Sequence, residues 1–430
     1  MKPVQYSPSS PQKKSFVRDF PIYYGWVIMA AGTLGMIMTS PGQTYTESIF
    51  IDHLIKDLAI SRTLISSLYS VGTLIGGFSL PFWGKMIDRH GSRKMITIVS
   101  VLFGMSLIFM GSVQNALMIG LGFTLVRMLG QGSLGLFSQF AINQWWVRRR
   151  GMIMGLSGLL MALLGMGGFP ILVHWLISAY AWRNAYVVLG LIVLGIMAPV
   201  GLLLFRDRPE DYELQPDGLQ NNTQEDLDAY IKGIEEEENW TLKEAMHTST
   251  FWIFGLSLSL FVLVITGLTF HLVSLFLNHG LDPTLAAGVY LPIAITAAGS
   301  NFLTGYLSDH LPLKYLLSAG LFSQAVALLM ALWIHDSFTV IAFGIILGLA
   351  NGIPRALGTI VWPAFFGRKY LGSILGFTSA MTIFGAAIGP LPFGFAFDRL
   401  GTYHPVLWFF TAASFLFAII LLFTQKPSKS

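Results

Sequence analysis

Gly84-Lys85-Met86-Ile87-Asp88-Arg89-His90-Gly91-Ser92-Arg93-Lys94 is a short basic stretch set between two apolar runs, residues 63–83 and 95–114. Each run is close to the ~20 residues that a helix needs to cross a hydrocarbon core. One carboxylate, Asp88, lies among the cations Lys85, Arg89, Arg93 and Lys94, while Gly84 and Gly91 permit close packing and a tight turn. The stretch reads as two membrane-spanning helices joined by a positive loop.

Apolar runs of the same kind recur outward from it in both directions. Spans fall near 22–51, 63–83, 95–114, 116–146, 152–178 and 183–205, then near 249–278, 283–308, 314–334, 337–364, 371–397 and 402–424. Composition agrees, since 54% of the 430 residues are hydrophobic and 11% charged. A soluble domain carries about 25% charge, so this chain cannot clothe a water-facing surface. The expected fold is an all-α membrane protein of twelve transmembrane helices in two six-helix repeats. Its expected parts are a tail (1–21), a first half (22–205), an acidic linker (206–247), a second half (248–425) and a short tail (426–430). The polar stretch up to Phe20 shows no signal-peptide core, so the first span is expected to serve as the insertion signal.

Basic residues set the orientation. With the N-terminus inside, 20 of 26 fall on the cytoplasmic side, Arg148, Arg149 and Arg150 among them, and only Lys56, Arg62, Arg183 and Arg399 fall outside. Both termini are therefore expected in the cytoplasm, with the spans in a bacterial inner membrane. Arg127 and Arg355 are left inside spans, where an ionisable residue is by default a functional candidate. The linker holds 13 of the 22 acidic residues, the run Glu235 to Glu238 included, and reads as a solvated face. Thr241 and Glu244 have capping-box spacing.

Other classes are excluded by what is missing. There is no cysteine for a disulfide or thiol site, no phosphate-binding GxxxxGK[ST] loop, no HExxH or GxSxG, and the nine histidines are dispersed. No enzyme, cofactor or metal site is expected, and the scattered basic residues do not suggest nucleic acid.

The two halves carry the same marks in the same order, which points to duplication with a cavity between similar halves. Gly84 and Asp88 after the second span match Gly305 and Asp309 after the eighth. Gln131-Gly132 precedes Trp145-Trp146 at the interval at which Asn351-Gly352 precedes Phe365-Phe366. Gly151 and Gly155 match Gly372 and Gly376.

The stretch 84–94 resembles GxxxDRxGxRK, the signature loop of the major facilitator superfamily, and Arg127, Gln131 and Gly132 resemble its RxxxQG mark in the fourth helix. Gly165, Gly167, Gly168 and Pro170 are a loose form of the family's glycine-proline motif. Within the superfamily the chain is most similar to the monocarboxylate porter and oxalate/formate antiporter branch. Tyr24-Gly25-Trp26, Gly42-Gln43-Thr44-Tyr45, Arg206 to Asp211, Trp362-Pro363 and Phe366-Gly367-Arg368 carry that likeness. It departs from the branch where basic residues are common in the eighth and eleventh helices, offering Asn301, Thr378 and Ser379 instead. For an anionic substrate, Arg127 or Arg355 must then supply the charge.

The resemblance implies that the first, fourth, seventh and tenth helices line the cavity. The substrate-binding candidates are Gln43, Tyr45, Arg127, Gln131, His271, Asn301 and Arg355. Gly84, Asp88, Arg89, Arg93 and Asp309 are the gating candidates, with Asp88 in an ion-pair latch. Glu47 and His271 are the coupling candidates if a proton is the coupling ion. The function expected is secondary active transport of a small organic anion, a monocarboxylate, by rocker-switch alternating access. The competing readings are an exporter of amphipathic compounds or drugs and, from another class, a non-transporting membrane sensor.

Overall fold

The computed structural model of the protein describes residues 16–218, 238–281 and 289–429. Every described span is helical, as a backbone without access to water requires.

The first span, α1, is broken. It runs over Gly25–Ile37, makes a 3₁₀ turn at Ser40–Gly42 and resumes at Thr44–Leu58. Pro41 lacks an N–H and fixes its own φ, so a continuous ladder is lost there. α2 is Arg62–His90 and α3 is Ser92–Gly111. α4 joins Ala116–Val126, a π-helical stretch Arg127–Leu134 and Gly135–Trp145. α5 starts as Arg150–Leu160, passes through a second π-helical stretch, Met161–Gly168, and continues into Phe169–Leu203. Ala181, at φ 62° and ψ 162°, divides that last segment, ending α5 and beginning α6.

In the second half, α7 is Ser249–Asn278, α8 Tyr290–Ser308, α9 Leu313–Met330 and α10 Ser337–Phe366. α11 comprises Leu371–Ile388 and Pro390–Leu400, and α12 is His404–Phe423. Eight uninterrupted helical stretches are long and apolar enough to cross a membrane unaided, one of which, 150–203, contains both α5 and α6. Those eight stretches do not include α1, which is interrupted at Ser40–Gly42, α2 or α8. Residues 283–288 of the eighth expected span and Glu235 to Glu237 of the acidic run lie outside the described residues. The capping box forms, with Glu244 N–H donating to Thr241 Oγ1 and Thr241 N–H to the Glu244 carboxylate.

The halves meet along α2 with α11 and along α5 with α8. Both crossings need glycine. A Cβ on Gly84 would strike the Gly372 carbonyl oxygen, and one on Gly151 would strike that of Gly305. Equivalent positions lie 221 residues apart: 84 and 305, 88 and 309, 151 and 372, and the helix caps Asn115 and Asp336. In that register Gln131 corresponds to Gly352, so the pairing of Gln131-Gly132 with Asn351-Gly352 is one residue out of step. The end of the bundle that carries residues 84–94, 148–150 and 368–369 is called the basic end below.

Candidate functional site

Three irregular backbone segments of the first half converge at one depth. The α1 turn lies against the α4 π stretch, where a Cβ on Gly42 would come within 2.9 Å of the Val126 carbonyl oxygen. It also lies against the α5 π stretch, where a Cβ on Gly165 would come within 2.9 Å of Ser40 Oγ. Broken helices and π turns expose backbone polar groups and are frequent at binding sites in membrane transporters.

Arg127 holds this junction together. Its Nε donates to Thr73 Oγ1 at 2.9 Å, and its Nη1 donates to the Gly42 carbonyl at 3.1 Å and to Thr44 Oγ1 at 3.4 Å. The guanidinium also lies 4.8 Å from the Tyr69 ring centre, and the residue is 5% exposed. Its Nε and Nη1 are thus spent on α1 and α2. Next to it, buried Glu47 accepts from Tyr186 Oη at 2.6 Å, and Glu47 Oε1 has no partner. The Tyr186 ring stacks on Phe50 at 3.9 Å. Among the described residues no ion pair joins Glu47 to Arg127.

Arg355 is different. It is the nineteenth of thirty residues in α10, about 27 Å along the helix. It is nevertheless exposed, and its one polar contact among the described residues is with Met166 Sδ at 4.0 Å, in the α5 π stretch of the other half. It faces the space between the halves with no carboxylate partner among the described residues.

The other expected binding residues are dispersed. Gln43 donates to Thr39 Oγ1 at 3.1 Å and Tyr45 to Ser40 Oγ at 2.9 Å, so both serve the α1 turn. Gln131 is half-buried in the α4 π stretch with no hydrogen-bond partner among the described residues. His271 has both ring nitrogens engaged, Nε2 with the Pro390 carbonyl at 3.2 Å and Nδ1 with Tyr403 Oη at 3.3 Å. It thus packs α7 against α11 and the start of α12. Asn301 reaches the Gly352 carbonyl at 3.5 Å and fills the space beside Gly158. The sequence reading missed Thr73, Met166 and Tyr186; only the Pro41-Gly42 pair inside an apolar run signalled the break that organises them.

At the basic end the expected ion-pair latch is replaced by helix capping. Asp88 accepts from the backbone N–H groups of Gly372 and Ser373, both at 2.8 Å, and from Ser373 Oγ at 2.6 Å. Asp309 accepts from the N–H groups of Gly151 at 2.7 Å and Met152 at 2.9 Å. Each carboxylate thus seals the N-terminus of a helix in the opposite half, where the helix dipole favours negative charge. Arg89 is exposed, and Arg93 donates from Nε to the Leu202 carbonyl at 2.8 Å, within its own half.

The family model for the Major Facilitator Superfamily matches residues 32–314 and 294–430. The chain belongs to this superfamily. Among curated facilitator proteins it is 27% identical over 363 residues to a probable sulfoacetate transporter of Cupriavidus necator, covering 77% of this chain and 80% of that protein. It is 21% identical over 400 residues to monocarboxylate transporter 13 of Bos taurus, covering 92% and 87%. Among solved facilitator structures, the human organic anion transporter MFSD10 aligns with a TM-score of 0.68 at 12% identity over 92% of this chain and 99% of that one. FucP in the outward conformation aligns with a TM-score of 0.67 at 14% identity over 94% and 100%. This facilitator chain is a multi-pass membrane transporter, not an enzyme.

Proposed function

We propose that the protein is a secondary transporter of a small organic anion, of the monocarboxylate class, working by alternating access between its halves. The observation that carries this reading is Arg355. A cation in mid-span is costly unless water, a counter-charge or a ligand compensates it, and Arg355 faces the space between the halves without a counter-charge among the described residues. A carboxylate bound there would meet the planar two-donor fork of the guanidinium. Gln131, in the α4 π stretch of the first half, has no hydrogen-bond partner among the described residues and is the polar group we assign to the facing wall.

Glu47 is the proton site in this reading, because it is a buried carboxyl held by one tyrosine hydroxyl and not by an arginine. The basic end faces the cytoplasm, with both termini there and the spans in a bacterial inner membrane. Closure at that end by Asp88 and Asp309 gives the state open to the outside. Uptake by proteoliposomes of labelled monocarboxylates, sulfonates, amines and neutral solutes tests the substrate class. Saturable uptake of an acid, competed by other acids and lost in Arg355→Gln, is expected; uptake confined to amines or neutral amphipathic solutes would overturn it.

A further inference from the structure

Two short polar stretches, Thr248-Ser249-Thr250 where α7 begins and Gln425 to Lys429 after α12, have no part in the site described above. They enclose a cavity of about 600 Å³ at the basic end, a volume within the range of small-ligand sites. Its walls are fixed by the tail. The Gln425 carbonyl accepts from Thr250 Oγ1 at 2.8 Å. Lys429 then ties the tail down, donating from its N–H to Glu238 at 2.7 Å and from Nζ to the Asn239 carbonyl at 2.8 Å and to Glu244 at 3.1 Å. The tail thus arches over the seam between α7 and α12.

The cavity has one apolar and one polar side. Ile253, Ile420 and Phe423 form the apolar side, and Phe423, the last residue of α12, is 79% exposed on the same helix face as exposed Leu416 and Ile419. That face is continuous with the hydrocarbon region the helix crosses. The polar side carries Ser249 and Lys426. Of the two lysines of the tail, Lys429 is spent on Glu244, whereas Lys426 is exposed with no acidic partner among the described residues, and no carboxylate lines the cavity. α7 runs for 30 residues with no acidic residue in its first turn to offset its dipole, and Thr248 Oγ1 caps the Phe251 N–H at 3.3 Å. Trp240, 7% exposed, stands in the wall, and its Nε1 has no hydrogen-bond partner among the described residues. A buried donor left unspent in a cavity wall points to a group that occupies the cavity.

A free inorganic anion would suit the polar side and leave the apolar side wet. An amphiphile with a phosphate head satisfies both. A zwitterionic head would bring an ammonium that finds no carboxylate in the lining, so the lining favours a head with net negative charge. We infer that the cavity binds one anionic phospholipid of the leaflet at the basic end, with its phosphate against Lys426 and the start of α7 and an acyl chain along Ile253, Ile420 and Phe423. The site is built from the second half, the end of the linker and the tail, and it does not depend on the identity of the substrate.

Native mass spectrometry of the delipidated protein in detergent counts bound lipid directly. Titration with phosphatidylglycerol should give one adduct per chain that saturates first, held about five-fold or more tighter than phosphatidylcholine. Lys426→Gln should weaken that adduct about five-fold, and Ser428→Lys, which adds a cation to the same wall, should tighten it by a similar factor. Lys94→Gln, which removes an exposed cation of the other half, should leave it unchanged. Glycerol 3-phosphate and inorganic phosphate should not compete at concentrations that match the lipid. Melting temperatures of the same samples identify folded variants. Equal affinity for the two lipids, an adduct unchanged in folded Lys426→Gln, or equal weakening in Lys94→Gln would overturn the site, and competition by the free phosphates would show an anion site and not a lipid site.

Discussion

Replacing Arg355 with lysine separates a ligand contact from a structural one. The charge is kept, but the planar fork that presents two parallel donors to a carboxylate is lost. One charge-assisted hydrogen bond of the pair should go, a loss of about 1.5–3 kcal/mol, or roughly 10- to 150-fold in Kd. Stability should hardly change, by no more than ~0.5 kcal/mol, because among the described residues the guanidinium hydrogen-bonds only the Met166 thioether, at 4.0 Å. Arg127→Lys should behave oppositely. It removes the fork from Thr73 and the Gly42 carbonyl and the planar guanidinium from the Tyr69 ring, so about 1.5–3 kcal/mol of stability is at stake in a buried setting. Titration calorimetry and thermal melts on the same purified variants, with an acid that the parent transports, measure both quantities. Unchanged affinity in Arg355→Lys, or a melting shift as large as that of Arg127→Lys, would refute the assignment of Arg355 to the substrate.

Asp88→Ala removes the acceptor for three hydrogen bonds at the start of α11 and should destabilise the closed basic end by roughly 1–2 kcal/mol, read as slowed transport with normal membrane insertion. Gly151→Ala should impair closure more severely than most glycine changes, since its Cβ would meet backbone at Gly305 that cannot rotate away; the separation of spin labels at positions 90 and 311 would show it. Glu47→Gln should abolish accumulation driven by a pH gradient while substrate exchange survives, and retained pH-driven accumulation would remove Glu47 from coupling. A cysteine placed at Asn221 should resist an impermeant maleimide outside intact cells and react in inverted vesicles, as a cytoplasmic linker requires.

The helices and the repeat were legible because their signals are local: apolar length, loop charge, and glycines at fixed spacing. The partners of Arg127 were not, because Gly42 and Thr73 are 85 and 54 residues away and become neighbours only when α1 breaks. Asp88 shows the same limit. Its nearest charges in sequence are cations, so an ion-pair latch was the natural expectation, yet the groups it meets are backbone N–H donors of α11, to which residue identity gives no clue. The π-helical stretches were invisible for a related reason, since Arg127–Leu134 and Met161–Gly168 have apolar patterns that an ordinary α-helix would carry equally well.

The 221-residue register also shows where duplication stopped mattering. The counterpart of Arg127 is Gly348, pressed so closely on Thr296 that no side chain fits, and the counterpart of Arg355 is Leu134, fully buried. The crossings and caps are thus twinned, whereas the mid-membrane charges are not. An anion seated on Arg355 would stay with the second half throughout the cycle, and the first half would move past it, closing first behind it and then in front.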